Sequence, residues 1–231
     1  MSIPGVAFRD RAAYLEGADA LVLADLHIGR DATSNVDAGL GEHEDLTGRF
    51  AALLSHFAPR EAVLAGDVLH SFSHLPRGAE ATLAALTDLA TTHDCRLVVT
   101  PGNHDGLLGE VWDGPSRATH TVGEWAVCHG HEAPTERAAR YVVGHDHPAL
   151  RIEGRKHPCY LYAPGHYEGG DVLVVPAFSR LSAGVTINRL RPDEFASPLV
   201  RDPGSFRPVV RDEDADETLV FPPLARFRRL L

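Results

Sequence analysis

Apolar runs punctuate the first half of the chain, at Ala20 to Ala24, Ala62 to Ala65 and Leu97 to Thr100. Each is short and each ends on Asp, Gly or Pro, which is how a buried strand passes into a loop. Between them the period of the apolar positions changes. In "GEHEDLTGRFAALLSHFAPR", Leu46, Phe50, Leu53, Leu54 and Phe57 recur at spacings of 4, 3, 1 and 3, one face of a helix stopped by Pro59. "GAEATLAALTDLATTHD" repeats the pattern through Leu83, Leu86, Leu89 and Ala90. Strand, helix, strand, helix, strand predicts βαβ units and a largely parallel sheet carrying helices.

The second half reads differently. Trp125 to Cys128, Arg140 to Val143, Cys159 to Tyr162, Val172 to Val175 and Val185 to Asn188 are β-like runs separated by Gly and Pro. This β-rich half is expected to pack a second sheet against the first. The acidic stretch "RDEDADETLV" reads as a solvated loop, and "FPPLARFRRLL" as a tail that docks or frays. No composition shift divides the 231 residues, so residues 1–231 are read as a single domain.

Composition narrows the classes. No apolar stretch approaches the roughly 20 residues of a membrane helix, and "MSIPGVAFRD" lacks a cationic start before an apolar run. Cys95, Cys128 and Cys159 are scattered without CxxC spacing and read as reduced core filler, so a cytoplasmic location is expected. The net charge of −10 argues against general polyanion binding, so any attraction for nucleic acid has to be local. Near-absence of lysine (Lys156 alone) alongside that acidity fits a GC-rich genome or a salt-adapted source, with a lean towards the second.

Histidine changes the picture most, because most of the 14 gather in short clusters after the apolar runs. "LADLHIGRD" carries Asp25 and His27, which strand alternation would send to one face. "AGDVLHS" carries Asp67, "PGNHDG" Asn103, His104 and Asp105, "VCHGH" His129 and His131, and "VVGHDHP" His145 and His147. Carboxyl ends of strands in an open α/β sheet are where ligands bind. Mixed carboxylate and imidazole donors suit Mn, Fe or Zn, and two divalent ions sharing a carboxylate is the economical use of so many. Histidines in polar strand-end loops would explain any one cluster, but not all five.

Taken in order, these clusters resemble the motifs of the calcineurin-like metallophosphoesterases: Asp25-Leu-His27, Gly66-Asp67-Val-Leu-His70, Gly102-Asn103-His104-Asp105, His129-Gly-His131 and Gly144-His145-Asp-His147, within about residues 20 to 150. The resemblance implies a four-layered αββα sandwich of two mixed β-sheets flanked by helices, with a dinuclear metal site at the carboxyl ends of strands. It implies that Asp25, His27 and His147 hold one metal, that Asn103, His129 and His145 hold the other, and that Asp67 bridges. Manganese is favoured by the family's habits. His104 is implied as the catalytic histidine, acting as general acid to the leaving oxygen or stabilising the transition state in a reaction begun by a metal-bound hydroxide.

Position 70 is Asp in the phosphatases of that family and His in its DNA double-strand-break repair nucleases, which favours a phosphodiester substrate. His70 is therefore a second catalytic candidate, facing the substrate, with a hydrogen-bonding supporting role as the alternative. Length, "ADLHIG", "GDVLHS" and "VVPAFSRLSAG" resemble the compact archaeal phosphoesterases related to those nucleases and the bacterial ligase-associated DNA-damage-response endonuclease. Only about 80 residues follow His147, too few for the large nucleases' capping domain. The expected substrate is a phosphate ester in short or single-stranded DNA or a nucleotide, with a DNA-repair protein as candidate partner. A phosphomonoesterase and a non-catalytic scaffold are the rivals.

Beyond the clusters, Arg30 is a candidate phosphate contact, with a salt bridge to Asp31 or Glu42 as its alternative. Phe72, His74 and Arg77 offer an aromatic and cations to a base and a phosphate, although an ordinary loop with Phe72 buried is the preferred reading. Phe178 is read as packing at a strand end or as closing the site.

Overall fold

The computed structural model describes residues 3–31 and 41–228. The chain opens with a hairpin, β1 (Val6–Arg9) and β2 (Ala12–Leu15), turned over Asp10 and Arg11 in the left-handed region. Then come β3 (Ala20–Leu23), α1 (Glu42–Phe57), β4 (Glu61–Ala65), α2 (Ala79–Thr92) and β5 (Arg96–Thr100). These strands form one sheet in the order β1-β2-β3-β4-β5. Its β3, β4 and β5 are parallel, as the alternating pattern requires, and the hairpin extends it antiparallel.

Helix α1 forms where its acidic first turn, Glu42, Glu44 and Asp45, complements the helix dipole. It buries Leu46, Phe50, Leu53 and Leu54 and ends on Ala58 in the left-handed region, one residue before Pro59. Alternation in the first sheet then separates two cores. Leu21, Leu23 and Leu64 face α1 and α2, packing on Leu46, Phe50, Leu83 and Leu86. Val22, Ala24, Val63 and Ala65 face the other way, into a core shared with Trp125, Val127, Val142, Leu173 and Val175.

Those partners belong to the second sheet, Val175 directly following one of its strands. Its strands are β6 (Thr119–Val122), β7 (Trp125–Cys128), β8 (Arg140–Val143), β11 (Tyr160–Tyr167), β12 (Gly170–Val174), β14 (Arg207–Asp212) and β15 (Glu217–Val220). They run in the order β15-β14-β11-β12-β8-β7-β6. A small third sheet is built from β9 (Pro148–Ile152), β10 (Arg155–Pro158) and β13 (Val185–Thr186), with β9 central. With two short 3₁₀ turns, it and α3 (Leu224–Phe227) cover the outer face of the second sheet. There Leu150, Ile187, Phe195, Phe206, Leu224 and Phe227 pack on Tyr141, Val143, Leu161 and Val174. The result is a mixed α/β layered sandwich with two mixed sheets packed face to face.

Three sequence expectations are corrected. The acidic stretch 211–220 is the β14–β15 hairpin, held by pairs such as Val210 with Leu219, its carboxylates gathered at the turn. The run at Val185 to Asn188 shortens to the two residues of β13. Phe178 lies fully in the core beneath the Arg49 guanidinium, 3.9 Å from its ring, so it does not close the site. The three cysteines are buried free thiols, as read. Among the described residues no helix is long and apolar enough to cross a membrane.

Candidate metal centre

The clusters meet because loops leaving β3, β4, β5, β7 and β8 converge at one end of the paired sheets. Asp25 and His27 do not converge by strand alternation, since β3 stops at Leu23. The segment instead runs beside the loop after β4, with the Asp25, His27 and Ile28 N–H groups donating to the carbonyls of Gly66, Asp67 and Val68 at 3.0, 2.9 and 2.8 Å. Both residues adopt left-handed backbone, φ 56° and 49°, and so do Asp67, His145 and His147 at 43°, 66° and 42°. Non-glycine residues rarely accept that region, and clusters of them mark places where the surroundings force a particular side-chain direction.

Two glycines make the convergence possible. Gly66 has φ 79° beneath the His129 ring. At Gly144 a Cβ would lie 2.5 Å from Asp25 Oδ2 and 2.6 Å from the Ala24 side chain, so only hydrogen fits there.

Asp25 is wholly buried and central. Its Oδ1 lies 3.1 Å from His129 Nε2 and 3.2 Å from His147 Nε2, and its Oδ2 accepts the His145 N–H at 3.0 Å. His27 Nε2 faces His147 Nε2 at 3.4 Å. Asp67 accepts the His104 N–H at 3.0 Å through Oδ1, and its Oδ2 lies 3.6 Å from His129 Nε2. Two groups of candidate donors result, Asp25 with His27 and His147, and Asp67 with His129 and His145, each with its donor atoms within 4.8 Å of one another. A third grouping joins His27 to His70 and His104. Asn103 is exposed in the loop that carries His104.

The electrostatics of these groups suit cations. Burial pushes the His27 imidazole down to about 3 and His145 down to about 4, so both keep a free lone pair at neutral pH. Burial would raise Asp25, but His147 and His129 beside it hold the carboxyl well below the usual range. Burial, with Asp25 nearby, raises Asp67. His27 Nδ1 is buried without a hydrogen-bond partner, and the Nε2 atoms of His27 and His147 face one another at the edge of the Asp25 carboxylate. Lone pairs so arranged are stabilised by a divalent cation, and the residues present fit one in each group.

Several supporting residues carried no sequence signal of their role. His131 Nδ1 sits 2.9 Å from His129 Nδ1, and Ser182 Oγ 3.2 Å from His147 Nδ1, so each ring is held by its far nitrogen with Nε2 directed inwards. The Asp105 carboxylate accepts N–H groups from Gly102, Leu69 and Val68 at 2.7, 2.8 and 3.2 Å, stitching the loop after β5 to the loop after β4. Asp146 does the same for the His145 loop, accepting from Ala196 and Ser197 at 2.7 and 3.3 Å. An alternating acid between two ligands is visible in "GHDHP"; what it clamps depends on contacts far along the chain.

His104 is oriented by main chain. Its Nδ1 lies 2.8 Å from the His70 carbonyl oxygen, with Nε2 3.7 Å from Asp67 Oδ2. The main chain of His70, and not its ring, thus fixes the His104 imidazole. The His70 ring stands 6.2 Å from the His104 ring at an interplanar angle of 18°, and burial lowers its pKa, followed by the Arg30 charge. Phe72 is exposed, which overturns the expectation of a buried ring.

Arg30 is near enough to the centre to depress His70 and His27 electrostatically, and its main-chain N–H donates to Glu42. The Gly29 and Arg30 N–H groups donate to the two Glu42 oxygens at 2.6 and 3.1 Å. Burial pushes Glu42 up to about 7 from 4.5, against those donors. An acid with a higher pKa folded than unfolded binds more protons when folded, so this group makes stability fall as pH rises from about 4.5 through about 7. Chemical denaturation across that window should show Glu42→Gln flattening the decline.

A layered α/β sandwich bearing carboxylate–imidazole groups at its strand ends is thus the class that the fold and site define. No protein-family model matches the chain, and no curated sequence relative matches it. Among solved structures it is similar to the crystal structure of the Pseudomonas putida nuclease MPE, at 23% identity over 92% of each chain with a TM-score of 0.63. At that identity the likeness shows a shared fold.

Proposed function

We infer that the chain is a single-domain, cytoplasmic, dinuclear-metal-dependent phosphodiesterase, a nuclease acting on short or single-stranded DNA or on a nucleotide. The observation that carries the reading is the shared Asp25 Oδ1, within 3.2 Å of an imidazole from each donor group, beside a histidine that belongs to neither. That the neighbouring fold is a nuclease's supports the substrate class.

Asp25, His27 and His147 would hold one divalent ion, and Asp67, His129, His145 and Asn103 the other, with Asp67 between them; manganese is favoured over iron and zinc. Two such ions supply Lewis acidity for a phosphate ester and lower the pKa of water. His104, its Nδ1–H donating to the His70 carbonyl, would as an imidazolium pass its Nε2 proton to the leaving oxygen and be left as the neutral ring. Arg30 would take a non-bridging phosphate oxygen, and the His70 ring, freed from orienting His104, would meet the substrate. A DNA-repair protein is the partner this reading favours.

The test is hydrolysis by chelator-stripped protein before and after Mn²⁺ is restored, comparing bis-p-nitrophenyl phosphate with p-nitrophenyl phosphate. Metal-dependent turnover that favours the diester is expected. Preference for the monoester would make the chain a phosphomonoesterase, and silence on both would favour a scaffold.

A further inference from the structure

Phe72 is the most exposed large hydrophobic among the described residues, 59% exposed. Its ring centroid nevertheless lies 3.7 Å from that of His104, with the planes tilted by 33°. His104 in turn is 5.3 Å from the His27 ring, so the phenyl lies on the histidine that borders the candidate metal centre. The loop is shaped locally: Ser71 Oγ lies 2.9 Å from His74 Nδ1, and Pro76 is buried against Gly29.

A phenyl ring offers nothing to a phosphate; what it offers is a π-face and apolar area. A single exposed hydrophobic is ordinary, but an open ring stacked on a histidine of the candidate centre stands where a bound ligand would cover it. Every nucleobase has a face to stack, and such stacking tolerates any sequence and does not depend on charge. That matters in a chain of net charge −10, where counterion release from phosphates offers little general affinity.

We propose that Phe72 is the stacking platform for the base adjoining the scissile phosphate, and that it makes the enzyme select unpaired nucleotides. A base within a duplex is already stacked and has to be drawn out to reach the ring. The proposal rests on the phosphodiesterase reading of the same site, and its test separates the two.

The substrates are a single-stranded oligonucleotide and its counterpart with an abasic residue beside the cleaved bond, both with Mn²⁺. Wild type should lose about tenfold in kcat/KM on the abasic strand, mainly through KM, with little change as salt is raised. In Phe72→Ala that penalty should shrink to under about twofold, and Phe72→Trp should restore it. A second readout needs no cleavage: a phosphorothioate strand carrying 2-aminopurine should be quenched by wild type and not by Phe72→Ala. Quenching without turnover would keep the platform and discard the nuclease. An abasic penalty or a quench equal in wild type and Phe72→Ala overturns the proposal.

Discussion

Asp25→Asn should reduce bound metal from about two ions per chain to less than one, and diester hydrolysis by at least about a thousandfold. The expectation follows from geometry. One carboxylate oxygen stands within 3.2 Å of imidazoles from both donor groups, so the change reaches both at once. Asparagine is nearly isosteric and keeps an acceptor for the His145 N–H, but removes the negative charge that offsets a divalent cation in a buried place. Elemental analysis after dialysis, read beside the rate, checks it. Retention of both ions would sink the idea that Asp25 is central. Because the residue is wholly buried, a thermal melt of the metal-free variant should accompany the assay, to separate lost metal from lost fold.

His104→Ala should behave in the opposite way, keeping its metal while kcat falls by about 10²–10⁴-fold, the range for a positioned proton donor. The histidine lies outside the two donor groups, 3.7 Å from Asp67 through Nε2, and its Nδ1 contact is a main-chain carbonyl that the substitution leaves in place. The loss should be smaller for an ester with an acidic leaving group such as p-nitrophenol than for a nucleotide, whose alkoxide needs the proton more. Equal losses on the two would place His104 on phosphate charge stabilisation instead. Loss of metal would make it a ligand, through the third grouping with His27 and His70.

The parts of this molecule that were legible in its sequence are local ones. The apolar stripe of α1, the three parallel strands and the Gly-flanked clusters all declare themselves within about 20 residues, which is the reach of periodicity and turn chemistry. The β1–β2 hairpin was missed because two four-residue strands around Asp10 and Arg11 offer too little alternation. Acidity in 211–220 concealed another hairpin because charge reports solvation of side chains and says little about backbone pairing.

At the site, residue identity and order gave the candidate donors, but the manner of their meeting was misread. Asp25 and His27 meet their partners through left-handed backbone rather than strand pleat, and Asp105 and Asp146 act on main-chain groups of other segments. Contacts between segments far apart in the chain leave no local trace. Phe72 was misjudged for a related reason: the average behaviour of phenylalanine predicted burial, and its place beside His104 is a tertiary fact.

The five left-handed residues also bear on how far this centre is portable. Each carries a backbone cost of about 1–2 kcal/mol that a free peptide would relieve by turning its imidazole or carboxylate elsewhere. Copying "DLH" or "GHDH" into a foreign loop would therefore transfer the donors without their aim. The unit an engineer could move is the whole pair of sheets with its Asp105 and Asp146 stitches, and the exposed loop at Phe72 is the part that could be exchanged on top of it.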